Sequence, residues 1–225
     1  MIESGLRMAG ESWVLHAERA LYWPRQHALL VADVHFGKGS VLRRAGVALP
    51  TGQTAADLAR LDRLIAHYRP QRLLVLGDLV HGEAPSAASW ISKVIAWREQ
   101  HATTAMTLVA GNHDRHFDAG NLGFEVIAGE LRLDGIVLRH TPAVVAGGYV
   151  LAGHVHPGVV LQDGWRRHRL PAFRFGRQCG LLPAFGTLTG VHNTPPEAGE
   201  RIVAVTPAGL IPMGRPDHSS AMESS

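Results

Sequence analysis

With 225 residues, 46% of them hydrophobic, the chain can bury one sizeable core, so a single domain over residues 1–213 is expected, with the polar stretch 214–225 as a disordered tail. Its one cysteine, Cys179, excludes an internal disulfide and a thiolate-built zinc site, and favours a reduced, cytoplasmic setting. The net charge is only +3, but of 22 cations only Lys38 and Lys93 are lysine, and 14 histidines accompany the arginines, a set suited to phosphate and to divalent metals.

In chain order, Glu3, Arg7 and Glu11 interrupt the region where a leader would need an apolar core, and no later run reaches the roughly 18–20 apolar residues of a membrane span. Buried strands are expected over 27–34, 72–79, 106–112, 135–140 and 149–155, each apolar and ending in polar residues. Between the first two, a Thr54/Asp57 start signal precedes Leu58, Leu61, Ile65 and Tyr68 at helical spacing, and Pro70 closes the helix. Between the second and third, Ile91, Val94 and Ile95 mark another helix, with Trp90 and Trp97 on one flank. Strand and helix alternating in this way predicts a parallel sheet whose ligands gather at the carboxyl ends of the strands. The segments 124–140, 159–170 and 200–213 instead read as antiparallel strands joined by glycine turns, giving a mixed α/β fold built as one mixed sheet or a two-sheet sandwich.

Four polar clusters fall at strand ends: Asp33 and His35, then Asp78 after Gly77, then Asn112, His113 and Asp114 after Gly111, then His154 and His156 after Gly153; His140 ends a further strand. In extended backbone, residues two apart project to one side, so Asp33 with His35, and His154 with His156, are expected to act as pincers on a metal. Two divalent ions close together need a bridging carboxylate, for which Asp78 is the candidate, and Asn112 offers a neutral oxygen. His113 is then left free of metal for the leaving oxygen, with adjacent Asp114 to orient it.

The ordered set Asp-x-His, Gly-Asp, Gly-Asn-His-Asp, Gly-His-x-His resembles the calcineurin-like metallophosphoesterase superfamily. The runs DVHFGKG, RRAGVALP and LGDLVHG resemble more narrowly the bacterial ligase-associated phosphoesterases, described as DNA endonucleases linked to repair. The resemblance implies a two-sheet mixed sandwich flanked by helices. It implies two divalent metal ions, manganese first with iron or zinc as alternatives: Asp33, His35 and His156 on one, Asn112, His140 and His154 on the other, and Asp78 shared. It also implies His113 and Asp114 as the catalytic pair, DNA as the substrate, and a repair ligase or helicase as an associate.

The expected chemistry is attack on phosphorus by a metal-activated water, without a protein nucleophile. Lys38 and His81 lie beside the first and second clusters and are candidate substrate contacts. The stretch 165–177 interleaves Arg166, Arg167, Arg169, Arg174 and Arg177 with Trp165, Phe173 and Phe175, either as a nucleic-acid surface or as a strand pair with its arginines in water. Two other functions fit the same residues: a small-molecule phosphatase or nucleotide hydrolase, and a metal-binding scaffold without catalysis.

Overall fold

The computed structural model describes residues 1–82, 88–193 and 195–213; the tail expected over 214–225 lies outside them. Ahead of the first expected strand, β1 (Glu3–Met8), β2 (Glu11–His16) and β3 (Ala20–Trp23) form an antiparallel meander. Ala9 and Gly10, both at positive φ, make the tight turn whose twist matches the strands it joins. The chain continues through β4 (Ala28–Val31), α1 (Lys38–Arg44), α2 (Gln53–Tyr68), β5 (Arg72–Leu76), α3 (Ser89–Gln100), β6 (Ala105–Val109) and β7 (Glu125–Ile127). β4, β5, β6 and β7 pair in parallel, completing a seven-stranded sheet in the order β1-β2-β3-β4-β5-β6-β7.

The second sheet contains β8 (Glu130–Leu133), β9 (Ile136–Arg139), β10 (Tyr149–Ala152), β11 (Pro157–Asp163), β12 (Arg166–Phe175), β13 (Cys179–Leu181), β14 (His192–Asn193), β15 (Arg201–Thr206) and β16 (Gly209–Met213). Its spatial order is β14-β11-β12-β13-β10-β9-β8, with β15 and β16 added beside β12. The expected antiparallel run over 124–140 is divided: β8 and β9 are antiparallel, but β7 belongs to the first sheet, parallel to β6. Gly129, at φ +84, sits where the chain changes sheet. No helix among the described residues is long and apolar enough to cross a membrane.

Two apolar layers hold this sandwich together. Between the first sheet and the helices, Leu58, Leu61, Leu64 and Ile65 of α2 pack with Trp90, Val94 and Trp97 of α3. The indoles that spacing placed on a flank of α3 are therefore its buried face, and Ile91 and Ile95 are only partly buried. An indole removes more apolar area from water than an isoleucine and keeps a polar edge, which Trp97 uses by donating to Asp62 Oδ1 at 2.6 Å. Between the sheets, Trp13, Trp23, Leu30, Leu74 and Leu76 meet Leu138, Leu151, Phe173, Phe175 and Val203.

Two polar braces are buried with the core. Arg174 Nε donates to Glu200 Oε1 at 2.7 Å, and a terminal nitrogen donates to Pro195 O at 2.9 Å; the two side chains of the pair are almost wholly enclosed. On α2, Arg60 donates to Glu18 Oε2 and to Phe185 O, while Asp57 accepts from Arg60 and from the Thr187 amide. Burial pushes the Asp57 carboxyl up to about 6, against the partial relief its donors give.

Breaking the buried pair with Arg174→Ala should cost about 3–5 kcal/mol in urea unfolding, because Glu200 is left charged and enclosed; a loss below about 1 kcal/mol would show the pair to be dispensable. Asp57 holds its proton more tightly folded than unfolded, so its contribution to stability is present below its ordinary value and is lost as pH rises through about 6. The difference in Tm between the wild type and Asp57→Asn should accordingly fall from pH 4 to pH 7, and a constant difference would refute the shift.

Candidate metal centre

β4, β5, β6, β9 and β10 all end at one edge of the sandwich, and the chemically active residues leave from those ends. The pincers are not extended backbone. Asp33, His35, Asp78, His154 and His156 lie in the left-handed region, with φ of 52, 53, 49, 67 and 50°, because the strands stop at Val31, Leu76 and Ala152 and the loops turn over the site. Each such residue costs roughly 1–3 kcal/mol, which persists only where the surroundings overdetermine it. Here they do: Asp33 N donates to Gly77 O at 3.1 Å, His35 N to Asp78 O at 2.9 Å and Phe36 N to Leu79 O at 2.8 Å.

The candidate ligands fall into two mixed sets. Asp33, His35 and His156 bring ligand atoms within 4.8 Å of one another, and so do Asp78, His140 and His154. His154 and His156 thus serve different sets, because the left-handed turns break the alternation that would have aimed both one way. Asp33 Oδ1 lies 3.4 Å from His156 Nε2. His140 Nε2 lies 2.9 Å from Asn112 Oδ1 and 3.0 Å from His154 Nδ1. Asp78 stands between the sets, with Oδ2 3.8 Å from His35 Nε2 and Oδ1 3.5 Å from His140 Nε2.

This donor set fits divalent cations. His35 Nε2 and His156 Nε2 are both buried without a hydrogen-bond partner among the described residues. An enclosed polar atom left unpaired costs about 1–3 kcal/mol, and both nitrogens are aimed at carboxylates that would share the ion. Burial first, then Lys38 and the neighbouring imidazoles, holds His35 well below its ordinary value, so it is a neutral ring with a lone pair to give. Glycines clear the space: a Cβ on Gly111 would lie 2.3 Å from Asp78 Oδ1, on Gly77 2.1 Å from His140 Nδ1, and on Gly153 2.6 Å from Asp33 Oδ2. A cleft of ≈ 360 Å³ opens beside Asn112, Arg115 and His140.

His113 belongs to a third imidazole group with His35 and His81. Its ring stacks on His81 at 4.8 Å, and its backbone amide donates to Asp78 Oδ1 at 3.0 Å. Asp114 does not orient that ring through any hydrogen bond the structure contains. Its carboxylate instead accepts from Gly111 N at 2.8 Å and Val80 N at 3.1 Å, tying two site loops together, and burial raises its pKa. His81 Nδ1 lies 3.1 Å from His35 Nδ1, and burial, then Lys38, lowers it to about 4. Lys38 opens α1 close enough to Asp33 and Asp78 to feel both carboxylates, although burial lowers it overall.

The arginine-rich stretch splits in two. Phe173 and Phe175 are core and Arg174 is in its ion pair, so these three offer nothing to a ligand; Trp165, Arg166, Arg167 and Arg169 are exposed. The segment 185–189 carried no sequence signal that was read, yet Phe185 N donates to Ala32 O at 2.7 Å and Gly186 N to Asp33 O at 3.1 Å, bracing the first pincer from behind. Gly186 was the available clue, since a Cβ there would lie 2.3 Å from Val34 O.

The profile of a family described as Calcineurin-like phosphoesterase matches residues 27–170, which span every candidate ligand. A nuclease from Pseudomonas putida, MPE, is 38% identical over 94% of this chain and 100% of its own, with a TM-score of 0.82. YfcE, a phosphoesterase from E. coli, is 19% identical over 81% of this chain and 90% of its own, with a TM-score of only 0.42. No curated protein sequence matches.

Gly111→Ala should displace Asp78, since the added carbon would overlap both its Oδ1 and, at 2.5 Å, its backbone nitrogen. Bound divalent metal, measured by elemental analysis after desalting, should fall at least about tenfold, the scale of supporting-shell damage; an unchanged metal content would contradict the geometry described.

Proposed function

Because the chain belongs to the calcineurin-like phosphoesterase family and is a metal-dependent hydrolase of phosphate esters, we propose that it is a two-metal endonuclease acting on DNA phosphodiesters in repair. Asp78 carries the two-metal part of this reading, with one oxygen toward His35 and the other toward His140. The nucleic-acid part is supported by the P. putida nuclease, which this chain matches over that protein's full length. A repair ligase or helicase is the class of associate this role calls for.

Asp33, His35 and His156 would hold one ion and Asn112, His140 and His154 the other, with Asp78 shared. Carboxylate, amide and imidazole donors accept manganese, iron or zinc, and we take manganese as the working ion. Bound there, the cations supply Lewis acidity to the phosphoryl oxygens and acidify the attacking water.

The chain's own residues do the rest. His113, outside both mixed sets, is placed to give a ring N–H to the departing oxygen, where charge develops. Asp114 fixes the Gly111 and Val80 backbones and so the position from which His113 works. His81, neutral at physiological pH, packs against His113 and limits its rotation. Lys38, half-buried at the start of α1 near Asp33 and Asp78, can meet a phosphate oxygen.

Manganese-supplemented hydrolysis of a chromogenic diester and monoester, beside single-stranded and duplex DNA, tests the reading. Wild type should cut DNA and the diester, and His113→Ala should lose about 10²–10⁴-fold in kcat, the usual worth of a proton donor. Cleavage of the monoester alone would replace the nuclease by a phosphatase. Asp78→Asn should lose metal and activity together; full activity without bound metal would sink the two-metal scheme.

A further inference from the structure

One part of the second sheet is not needed to complete the fold. Beyond Gly158 and Pro171, β11 and β12 pair only with each other among the described residues, so 159–163 and 166–170 form a two-stranded ribbon. Such a hairpin adds little stability in water by itself. Its turn is Gly164-Trp165, with Trp165 fully exposed at 102%, followed by exposed Arg166, Arg167, His168 and Arg169.

Strand directions fix where the ribbon goes. β10 and β13 run toward the metal centre, and β12 runs against β13, so the first residues of β12 lie at the centre's end of the sheet. β11 starts immediately after His156. Arg174 is level with Leu181, and Leu181 with Ala152. At about 3.3 Å per residue, His154 lies at most roughly 7 Å past that level, Arg169 roughly 17 Å and Arg167 roughly 23 Å. The ribbon therefore stands beyond the metal centre.

Strand alternation then sorts its side chains. Phe173 and Phe175 point into the core between the sheets, and Arg169 and Arg167 continue that same face, opposite Val160 and Gln162. Arg166 and His168 take the other face. Where the core ends, the inner face continues past the level of the metal centre. The Cα positions of Arg169 and Arg167 are about 6.6 Å apart along the strand, comparable to the separation of successive phosphates in a stretched polynucleotide. No hydrogen bond or ion pair engages either one within the described residues.

We infer that this inner face is a rail for the substrate's backbone, on which Arg169 and Arg167 hold phosphates about one to three positions from the scissile one. Trp165 ends the rail with a ring on which a base can stack. The inference rests on the polynucleotide reading above and would separate Arg167 and Arg169 from Arg166, their sequence neighbour on the opposite face.

The experiment compares kcat/KM for an oligonucleotide long enough to span the centre and the ribbon with that for a dinucleotide too short to do so. Arg167→Ala combined with Arg169→Ala should lower the oligonucleotide value about tenfold per guanidinium and close the gap to the dinucleotide. The slope of log kcat/KM against log salt should shrink by about 0.7–0.9 for each phosphate contact removed. Arg166→Ala should stay within about twofold of wild type. An unchanged oligonucleotide-to-dinucleotide ratio in the double variant, or a loss in Arg166→Ala as large as in the double variant, overturns the rail while leaving the nuclease standing. Wild-type protein that hydrolyses a chromogenic diester but neither nucleotide substrate would instead remove the polynucleotide reading itself.

Discussion

Two carboxylates, Asp33 and Asp78, are enclosed at one edge of a sandwich, and the structure is arranged around the positive charge they require. A buried carboxylate without a counter-charge is among the most unfavourable groups a fold can contain. Each lies beside imidazole nitrogens rather than in an ion pair with an arginine or lysine, and two of those nitrogens have no hydrogen-bond partner, among the described residues. The left-handed turns, the glycines pressed against Asp78 and Asp33, and the parallel strands that end together all serve that one concentration of negative charge. Cations held by these sets would resolve several unfavourable terms at once: enclosed anions, unpaired imidazole nitrogens and strained backbone.

Much of the fold was legible because its signals are short range. The strands 28–31, 72–76 and 105–109 are short, mostly aliphatic runs, and α2 shows its apolar stripe openly, so period and length suffice. The site clusters were legible for a related reason: each is a short polar run directly after such a strand, where backbone direction changes and side chains reach solvent.

What was not legible depended on contacts distant in sequence. Alternation would hold for Asp33 and His35 if the strand continued, but hydrogen bonds to a neighbouring loop bend both into a left-handed turn. Asp114 looked like the partner of His113 because the two are adjacent, whereas its oxygens are claimed by amides at Gly111 and Val80. In 165–177, composition showed arginine beside aromatic residues but not which lay inside; the buried Glu200 that takes Arg174 is 26 residues away. The first three strands carry only weak alternation over four to six residues each, and pairing with one another, rather than their own pattern, defines them.

The first sheet is laid down in the order in which its strands are synthesised, from β1 at one edge to β7 at the other. A chain emerging from the ribosome can therefore extend this sheet one edge at a time, each new parallel strand closing over a helix already made. Asp33, His35, Asp78 and Asn112 are all present by then. Yet neither mixed set is complete, since His140, His154 and His156 arrive only with the second sheet. The halves of the molecule must meet before either set closes, so the capacity to hydrolyse a phosphate ester is withheld from a chain made only as far as the first sheet.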